Sequence, residues 1–519
     1  MDLRTLTLVL NTLRLAAAVC AVSVPLGTLL AWLLVRTDLL GRRLWLALLG
    51  LMLFVPLYLQ AAAWQAGFGL QGWYTLAGFG RTLLEGWAGA IWIHAAAALP
   101  WVVLIVGFGL ANVERELEES ALLDASPRQV FWHVTLRAAL PAVGVALLWT
   151  ALVVAGEMTV TDLFGIRTYA EEVYTQMAAT GAEEAPLRLL PGMALTAVLV
   201  MAGMAICRGI APGKRPLGLQ SAGWVFRLGR WRLPVSLATA ALFALLVGLP
   251  LGNLAYKAGV VVSQTDAGLV RGFSAAKCLN MIASAPWRHS REFGWSLLIC
   301  PLSAAAAVLA AIPLAWLARR GGWWSLPALL TAAAALAVPG PVLGLAIIKL
   351  LNQAELPWLV RLYDHSILAP FLALFVRGLP AAILVLWHAL HSVPSELLDL
   401  AAVDGAGPLA RLYRVALPMR WPAVGLAFLV SLALTLGDLA ASILVMPPGV
   451  NTLSIHIFGL LHYGVEDQVA GICLALIGLF AIVAAAAWSI IGGARGWGLG
   501  VSGQRSGDRD QGPGTRKRK

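Results

Sequence analysis

Eleven apolar segments, each long enough to cross a bilayer, dominate the sequence and limit the folds open to it. A membrane-spanning helix needs about 20 consecutive apolar residues, because its backbone polar groups must be satisfied within the segment. The chain is 60% hydrophobic and 12% charged, whereas soluble domains are about 25% charged. We therefore expect an all-α integral membrane protein of about 11 transmembrane helices. The predicted spans are 6–35, 44–67, 88–112, 140–161, 187–207, 233–256, 293–318, 323–350, 367–391, 420–446 and 468–492.

Basic residues lie in short runs between the apolar segments, and their distribution orients the chain. The connection 208–232 carries six basic residues and no acid, and the chain ends in four basic residues, so both are predicted to face the cytoplasm. The connection 162–186 is rich in Glu and 447–467 contains no Lys or Arg, so both are predicted to face outward. The long connection 257–292, with five basic residues, is an exception. This pattern attributes the net charge of +11 to membrane topology rather than to a nucleic-acid partner.

The two halves of the chain share a sequence pattern. "LPAVG" at 140–144 recurs as "WPAVG" at 421–425, and Gly156-Glu157 recurs as Gly437-Asp438 at the same spacing. "AWLLVR" at 31–36 matches "AWLARR" at 315–320, and Val-Pro at 55–56 matches Val-Pro at 338–339. An even number of spans separates the two polar loops, which predicts parallel repeats. We predict a first repeat at 1–210 that lacks its first helix, a basic cytoplasmic linker at 211–232, a second repeat at 233–495 and a disordered basic cytoplasmic tail at 496–519.

Two polar stretches interrupt the apolar pattern at matching places. They read "ESALLDASPRQVFWHVTLR" at 119–137 and "DLAAVDGAGPLARLYRVALP" at 399–418. In each, an acid opens a short helical run, a turn follows, and Val-x-Leu leads into the next membrane helix. The second stretch resembles the EAA loop of ABC-importer permeases in its glycine and its closing Val-x-Leu-Pro, with Asp399 in place of Glu. The first stretch is one residue shorter, and it has Ala125 in place of Gly and Arg137 in place of Pro.

The resemblance implies a type I ABC-importer permease in a bacterial inner membrane. In that family the loop docks in a groove of the ATP-hydrolysing subunit, so two loops imply two copies of an ABC ATPase. A periplasmic substrate-binding protein is the other expected partner. ATP is used by the partner ATPase, and no cofactor is expected on this chain. The residues expected to form the coupling loops are Glu119, Ala121, Asp124, Ala125, Asp399, Ala401, Asp404, Gly405, Leu417 and Pro418.

The cargo is predicted from resemblance alone. The first apolar segments and the tandem layout look most like the fused ferric-iron importer permeases, which makes ferric iron the expected substrate. Thiamine, polyamine, sulfate and phosphonate permeases are the alternatives within the same class. A secondary transporter and a non-transporting scaffold are alternatives from other classes. The two polar loops, and the scarcity of acids in the middle of the spans, favour the ABC importer.

Two acids are candidates for the translocation pathway. Glu157 and Asp438 occupy equivalent positions near the outer ends of their spans, and an ionisable group in the hydrocarbon costs about 2.5–3.5 kcal/mol on insertion scales. Either they line the translocation pathway and its outer gate, or they simply lie in the polar headgroup region. His94 and Arg377, in the preceding spans, are candidates for a pathway role or a buried polar contact. A further outward set of acids either receives a binding protein or is simply solvated: Glu171, Glu172, Glu183 and Glu184.

Signatures of catalysis are absent from the sequence. "GIAPGKRP" at 209–216 lacks the Gly-x4-Gly-Lys-Ser/Thr spacing of a phosphate loop, and neither HExxH nor GxSxG occurs. The five cysteines have no CxxC or Cys/His spacing, so neither a disulfide framework nor a metal site is expected. We therefore predict a protein that is not an enzyme.

Overall fold

A computed structural model describes residues 3–76, 82–180, 198, 224–265 and 268–497. Its first half consists of helices, and short helices alternate with long ones. These are α1 Leu3–Arg36, α2 Arg42–Phe54, α3 Leu57–Phe68, α4 Trp73–Leu76, α5 Gly86–Ala111, α6 Arg115–Asp124, α7 Pro127–Val130, α8 Leu136–Ala155, α9 Thr159–Leu163 and α10 Tyr169–Thr180. A π-helical segment, Phe131–Thr135, joins α7 to α8.

The second half contains the same kinds of helix and one β-hairpin. Its helices are α11 Arg232–Phe243, α12 Leu249–Gly259, α13 Ala275–Arg288, α14 Ser290–Ala318, α15 Leu326–Ala337, α16 Gly340–Leu351, α17 Pro357–His365, α18 Leu368–His391, α19 Ser395–Val403, α20 Pro408–Arg411, α21 Leu417–Met419, α22 Trp421–Gly437, α23 Leu453–Leu461 and α24 Asp467–Trp497. Strands β1 Val260–Thr265 and β2 Gly268–Phe273 pair antiparallel between α12 and α13. Further π segments are Ala244–Gly248 and Leu412–Ala416, and single 3-10 turns are Gly229–Trp231 and Gly322–Ser325.

The membrane-spanning helices agree with the predicted apolar segments. In the described part of the chain, seven helices are long and apolar enough to cross a membrane, and three bent helix pairs bring the possible number to ten. Each of these lies on one of the predicted spans. The remaining predicted span, 187–207, falls outside the described residues, apart from residue 198. The expected all-α membrane fold is therefore confirmed.

Two of the bent pairs break at the matching Val-Pro sites. The axes of α2 and α3 differ by 104° at Val55-Pro56, and those of α15 and α16 differ by 103° at Val338-Pro339. Proline restricts the preceding residue to extended backbone and lacks an N–H for the helix ladder. Val55 and Val338 have ψ values of 115° and 116°, which is extended backbone. The same local chemistry therefore bends the same helix in both halves.

Three helices form the centre of each half. In the first half α1, α5 and α8 pack on one another, and α14, α18 and α22 do so in the second. One polar contact is reproduced as well. The Tyr169 N–H donates to Thr12 Oγ1 at 3.0 Å, and the Leu453 N–H donates to Ser296 Oγ at 2.8 Å. The two halves thus share packing and hydrogen bonding.

The halves interlock through the helix that opens the second one. The continuous span 229–259 lies against α2 and α3 of the first half, with the Trp45 and Phe243 ring centroids 4.9 Å apart. Asn253 Nδ2 donates to Ala63 O at 3.2 Å. On the other side α12 packs against α24. One apolar cluster therefore contains residues of both halves, among them Leu59, Leu254 and Leu476.

Candidate functional site

The first polar loop folds as two short helices joined by a turn. α6 ends at Asp124 and α7 begins at Pro127. Ser126 and Gln129 form a capping box, in which the Ser126 N–H donates to Gln129 Oε1 at 3.0 Å. Ala125, which stands where the loop motif has glycine, has an extended φ of −137°. This turn needs no glycine, so the first loop keeps its helix-turn-helix form despite its departure from the motif.

The second polar loop closes its first helix with glycine. Gly405 has φ of +85°, a left-handed conformation that glycine adopts without steric cost. The Ala406 N–H donates to Ala401 O and the Gly405 N–H to Ala402 O, which is the Schellman pattern of a helix end. Pro408 then starts α20 at its first position. The extra residue of the second loop is therefore absorbed in this glycine turn.

Equivalent positions of the two loops expose apolar side chains. Leu123 and Val403, near the ends of α6 and α19, are each 85% exposed. Trp132 and Tyr413, each the second residue of its π segment, are 61% and 60% exposed. Exposed aromatic and aliphatic side chains grouped on a polar loop are typical of protein contact sites. Each loop thus presents an aliphatic and an aromatic side chain at equivalent positions, and the second loop also exposes Leu400 and Leu409.

The predicted coupling residues fall into two groups by exposure. The acids and the second-loop glycine and proline lie on the surface, and Glu119 pairs with Arg115 at 2.6 Å. The alanines and the closing leucine are half-buried and support the loop from below. The exposed members are Glu119, Asp124, Asp399, Asp404, Gly405 and Pro418, and the half-buried ones are Ala121, Ala125, Ala401 and Leu417.

A buried acid beneath the first loop was missed by the sequence analysis. Glu118 is fully buried and forms an ion pair with Arg36, the last residue of α1. Its carboxylate also accepts hydrogen bonds from Thr135 Oγ1 at 2.7 Å and from the Trp224 N–H at 3.1 Å. At the equivalent position the second loop has Leu398, which is also buried. Glu118 therefore joins α1, the first loop, the π segment before α8 and the linker between the halves.

The linker is held on the same side of the molecule by further contacts. The Phe226 N–H donates to Arg36 O at 2.8 Å, and the Leu228 N–H donates to Asp38 Oδ1 at 2.9 Å. Arg232 Nε donates to Asp38 O at 2.8 Å. The first loop is thus bound to the linker by a network that has no counterpart among the described contacts of the second loop.

The two candidate pathway acids each pair with a base from the preceding span. Glu157 Oε2 lies 3.2 Å from His94 Nε2, and Asp438 Oδ1 lies 3.4 Å from Arg377 Nε. The two acid side chains are 12% and 11% exposed. The structure therefore brings together, in both halves, the four ionisable residues that the sequence singled out in these spans.

Each acid also organises the segment that follows its helix. Glu157 Oε1 accepts a hydrogen bond from the Thr159 N–H at 2.6 Å, and Asp438 Oδ2 accepts one from the Ala441 N–H at 3.1 Å. A carboxylate at such a position satisfies backbone donors that lack a helical partner. Arg377 Nη1 additionally donates to Val338 O at 3.3 Å, at the bend between α15 and α16. The pairs therefore fix the outer helix ends and, in the second half, the bend.

The outer ends of the two halves meet close to these acids. Gly437, which precedes Asp438, packs so closely on Pro56 of the first half that an added Cβ would lie 2.8 Å from Pro56 Cγ. His462 Nε2 lies 3.0 Å from Asp162 Oδ2, which joins the segment after α23 to α9. Both contacts cross between the repeats.

The other outer acids are only partly available to a partner. Glu172 is buried and pairs with Arg4, and it also accepts a hydrogen bond from Gln176 Nε2 at 2.6 Å. Burial raises the pKa of Glu171, although the hydrogen bond from Thr175 opposes this effect. Glu183 and Glu184 lie outside the described residues. The side chain of Glu172 is therefore engaged within the protein rather than presented on the surface.

Residue types that bind metals are dispersed in the described part of the chain. No group of three or more His, Cys, Asp or Glu side chains there could hold a metal ion. The four described cysteines are buried and form no disulfide.

The chain resembles known transport proteins in both halves. The family model "Binding-protein-dependent transport system inner membrane component" matches residues 306–492. The chain is 25% identical to the Fe(3+)-transport system permease protein FbpB 2 of Haemophilus influenzae over 463 residues, which cover 86% of this chain and 83% of that protein.

Shorter relatives match part of the chain. The molybdenum transport system permease protein ModB of Haemophilus influenzae is 31% identical over 189 residues, covering 34% of this chain and 82% of its own length. A putative 2-aminoethylphosphonate transport system permease protein, PhnV, of Salmonella paratyphi A is 25% identical over 258 residues, covering 48% of this chain and 90% of its own length.

Proposed function

Because this chain belongs to the family of inner-membrane components of binding-protein-dependent transport systems, we propose that it forms a complete ferric-iron pathway driven by two ATPase subunits. Family membership itself makes the chain a multi-pass inner-membrane permease of an ABC importer and not an enzyme. It also implies an ATPase and a binding protein as partners. The number of ATPase copies, the coupling residues, the gate and the cargo are our proposals.

The observation that supports two ATPase copies is the repetition of the exposed loop surface. One ATPase docks on the loop bearing Leu123 and Trp132, and a second docks on the loop bearing Val403 and Tyr413. All four side chains are at least 60% exposed, so their burial in a groove would remove apolar surface from water. The exposed acids Glu119, Asp124, Asp399 and Asp404 would meet basic groups at the rim of that groove.

Each loop leads into a helix that reaches the outer face, the first without a break and the second through a bend at Arg420. In the first half, residues Pro127–Ala155 form one helical span from the loop to the residue before Gly156. In the second, Pro408–Met419 and Trp421–Gly437 form a bent pair, with axes 79° apart, that ends beside Asp438. A movement of either loop is therefore carried as a rigid-body shift to an acid at the opposite face.

The paired acids act in this scheme as the outer gate of the pathway. Glu157 and Asp438 sit where helix ends from both repeats meet, and each holds the segment that follows its helix. Rocking of the halves separates Gly437 from Pro56 and Asp162 from His462. The acid–base pairs keep each half rigid while the contacts between halves open.

Variants of the exposed aromatic residues test the docking scheme. Trp132→Ala and Tyr413→Ala should each weaken retention of the ATPase during purification, and the double variant should lose it. Tyr463→Ala removes an aromatic side chain that is 80% exposed on the outer face, and it should leave ATPase retention unchanged. Full retention of the ATPase by a correctly folded double variant would contradict docking through these loops.

Ferric iron is proposed because the iron permease resembles the chain across both halves. That match covers 86% of the chain, whereas the molybdenum and aminoethylphosphonate permeases match 34% and 48%. In importers of this type the soluble binding protein selects the cargo, and the family resemblance therefore carries this part of the proposal. Molybdate and aminoethylphosphonate are the specific alternatives.

Uptake measurements distinguish these cargoes. Cells with and without the gene for this chain would be given radioactive ferric iron, molybdate and aminoethylphosphonate in parallel. Loss of iron uptake alone would support the proposal. Loss of molybdate or phosphonate uptake, with iron uptake unchanged, would refute the proposed cargo but leave the permease function intact.

A further inference from the structure

Helix α13 is held at the outer ends of two membrane spans. The Ser274 N–H donates to Gly259 O, the last residue of α12, at 2.9 Å. Lys277 Nζ lies 2.6 Å from Asp467 Oδ2, at the start of α24. Both anchors are in or just before the first turn of α13, and the side chain of Ser274 caps that turn by accepting from the Lys277 N–H at 3.2 Å. The height of α13 is thus set by the ends of α12 and α24.

The sequence of α13 divides its surface into three faces. At 3.6 residues per turn, each face takes up about one third of the circumference. One face packs into the core against α12 and α24, a second is polar, and the third is apolar and exposed. The packed face carries Cys278, Met281, Ile282 and Ala285, the polar face Lys277, Asn280, Ser284 and Arg288, and the exposed apolar face Ala276, Leu279, Ala283 and Trp287.

The exposed apolar face is large for a helix that would lie in water. Leu279 is 67% exposed and Trp287 is 81% exposed, and they lie on the same side with two alanines between them. Around the helix, the polar face lies between the exposed apolar face and the packed face. A helix with this arrangement can direct its apolar side to lipid and its polar side to water while remaining packed on the protein.

The charges of the helix and its neighbours suit a phospholipid surface. α13 contains two basic residues and no acid. Arg271 and Arg291 lie just before and after it, and both are exposed. Basic side chains beside Trp and Leu are typical of helices that bind in the headgroup region, where long cationic side chains reach the phosphates. This role also accounts for Arg271, Arg288 and Arg291 in the outward connection 257–292, which is the exception to the charge pattern of the other loops. Of the other two basic residues there, Lys257 is half-buried and Lys277 pairs with Asp467.

We propose that α13 is an interfacial helix that lies in the outer leaflet of the membrane, with Leu279, Ala283 and Trp287 immersed among the acyl chains. Its partner is the phospholipid bilayer. Because α14 follows α13 directly, the seating of α13 in the leaflet sets the height of the first central helix of the second half. The site is separate from the ATPase loops and from the acid–base pairs, and it does not rest on the proposed cargo or coupling.

Spin labels on opposite sides of the helix test this proposal. Single cysteines would replace Ala283 on the apolar face and Asn280 on the polar face, in the full-length chain with its five native cysteines replaced. The protein would be reconstituted in vesicles of phosphatidylethanolamine and phosphatidylglycerol. Oxygen, which concentrates in the membrane, and a water-soluble nickel chelate would be compared as relaxing agents.

The proposal predicts opposite accessibility at the two positions. The label at 283 should collide mainly with oxygen, and the label at 280 mainly with the nickel chelate. A second apolar-face label at 276 should behave like that at 283. Equal nickel accessibility at 283 and 280 would overturn the proposal. Protection at 283 that arises only after the periplasmic binding protein is added would also overturn it, because the face would then be a protein contact.

Discussion

Removing the carboxylate of Glu118 should destabilise the protein far more than removing that of its neighbour Glu119. Glu118 and Arg36 have side chains that are 0% and 2% exposed, so Glu118→Ala leaves a guanidinium buried without a counter-ion. Arg36 Nε and Nη1 have no other hydrogen-bond partner in the described part of the chain. Breaking one side of a buried ion pair costs about 3–5 kcal/mol.

The matched control is Glu119→Ala. The Glu119 side chain is 44% exposed and pairs only across one helical turn, with Arg115. Such exposed pairs contribute about 0.3–0.5 kcal/mol. The two variants remove the same chemical group from adjacent positions of one helix, so their difference isolates the effect of burial.

The second loop suggests a variant that should restore stability. Leu398 occupies the position of Glu118 there and is 2% exposed, so an apolar side chain fits this site in the fold. Replacing a buried ion pair with apolar residues of similar size is often neutral. We expect Glu118→Leu combined with Arg36→Met to recover most of the stability that Glu118→Ala loses.

Unfolding by SDS in mixed micelles, followed by circular dichroism, would give the free energy of unfolding of each variant. The expected order is wild type and Glu119→Ala close together, then the double variant, in which Thr135 and the Trp224 N–H lose their acceptor, and Glu118→Ala lowest. If Glu118→Ala costs no more than Glu119→Ala, the buried pair does not stabilise the loop, and the reasoning fails.

Three further predictions concern the turn, the contact between halves and the acid–base pairs. Gly405→Arg forces a side chain into left-handed backbone at about 1–2 kcal/mol, and it should preserve membrane insertion but separate ATP hydrolysis from uptake; normal uptake would count strongly against docking at this turn. Gly437→Ala should lower the free energy of unfolding by about 1–3 kcal/mol, because the added Cβ meets Pro56. The control Gly156→Ala should be tolerated, since the atom nearest to its Cβ is Leu152 O at 3.6 Å. Equal melting temperatures of the two variants would refute the close contact. Arg377→Ala should reduce uptake because it leaves Asp438 unpaired. Adding Asp438→Asn to this variant should restore part of the lost uptake. If uptake is not restored at normal expression, the acid has a role beyond pairing.

Much of the membrane fold was accessible from the sequence because its determinants are local. A run of about 20 apolar residues identifies a span wherever it occurs. The Val-Pro pairs at 55–56 and 338–339 coincide with the two right-angle bends, since proline acts on its own helix and on the residue before it. The turns of the two loops are also determined by local residues. Extended Ala125 in the first loop and left-handed Gly405 in the second nevertheless give the same helix-turn-helix form.

The contacts between distant segments were not accessible in the same way. Glu118 and Glu119 are adjacent acids, and only the packing of α6 on α1 decides which of them is buried. The bases that pair with Glu157 and Asp438 were also obscured. Relative to the Leu-Pro of its own half, His94 lies about one helical turn away from the position that Arg377 occupies. Alignment of the repeats therefore does not place the two bases at equivalent positions. Tertiary geometry compensates for that difference, because either side chain can reach its acid.

The stoichiometry of the intact complex tests directly whether both loops bind an ATPase. The tagged chain would be extracted from its membrane in mild detergent with its ATPase, and the mass of the complex would be determined by native mass spectrometry. We expect one copy of this chain with two copies of the ATPase, one for each exposed loop. A stable complex with a single ATPase, unchanged by the Tyr413→Ala substitution, would contradict the claim that both loops are docking sites.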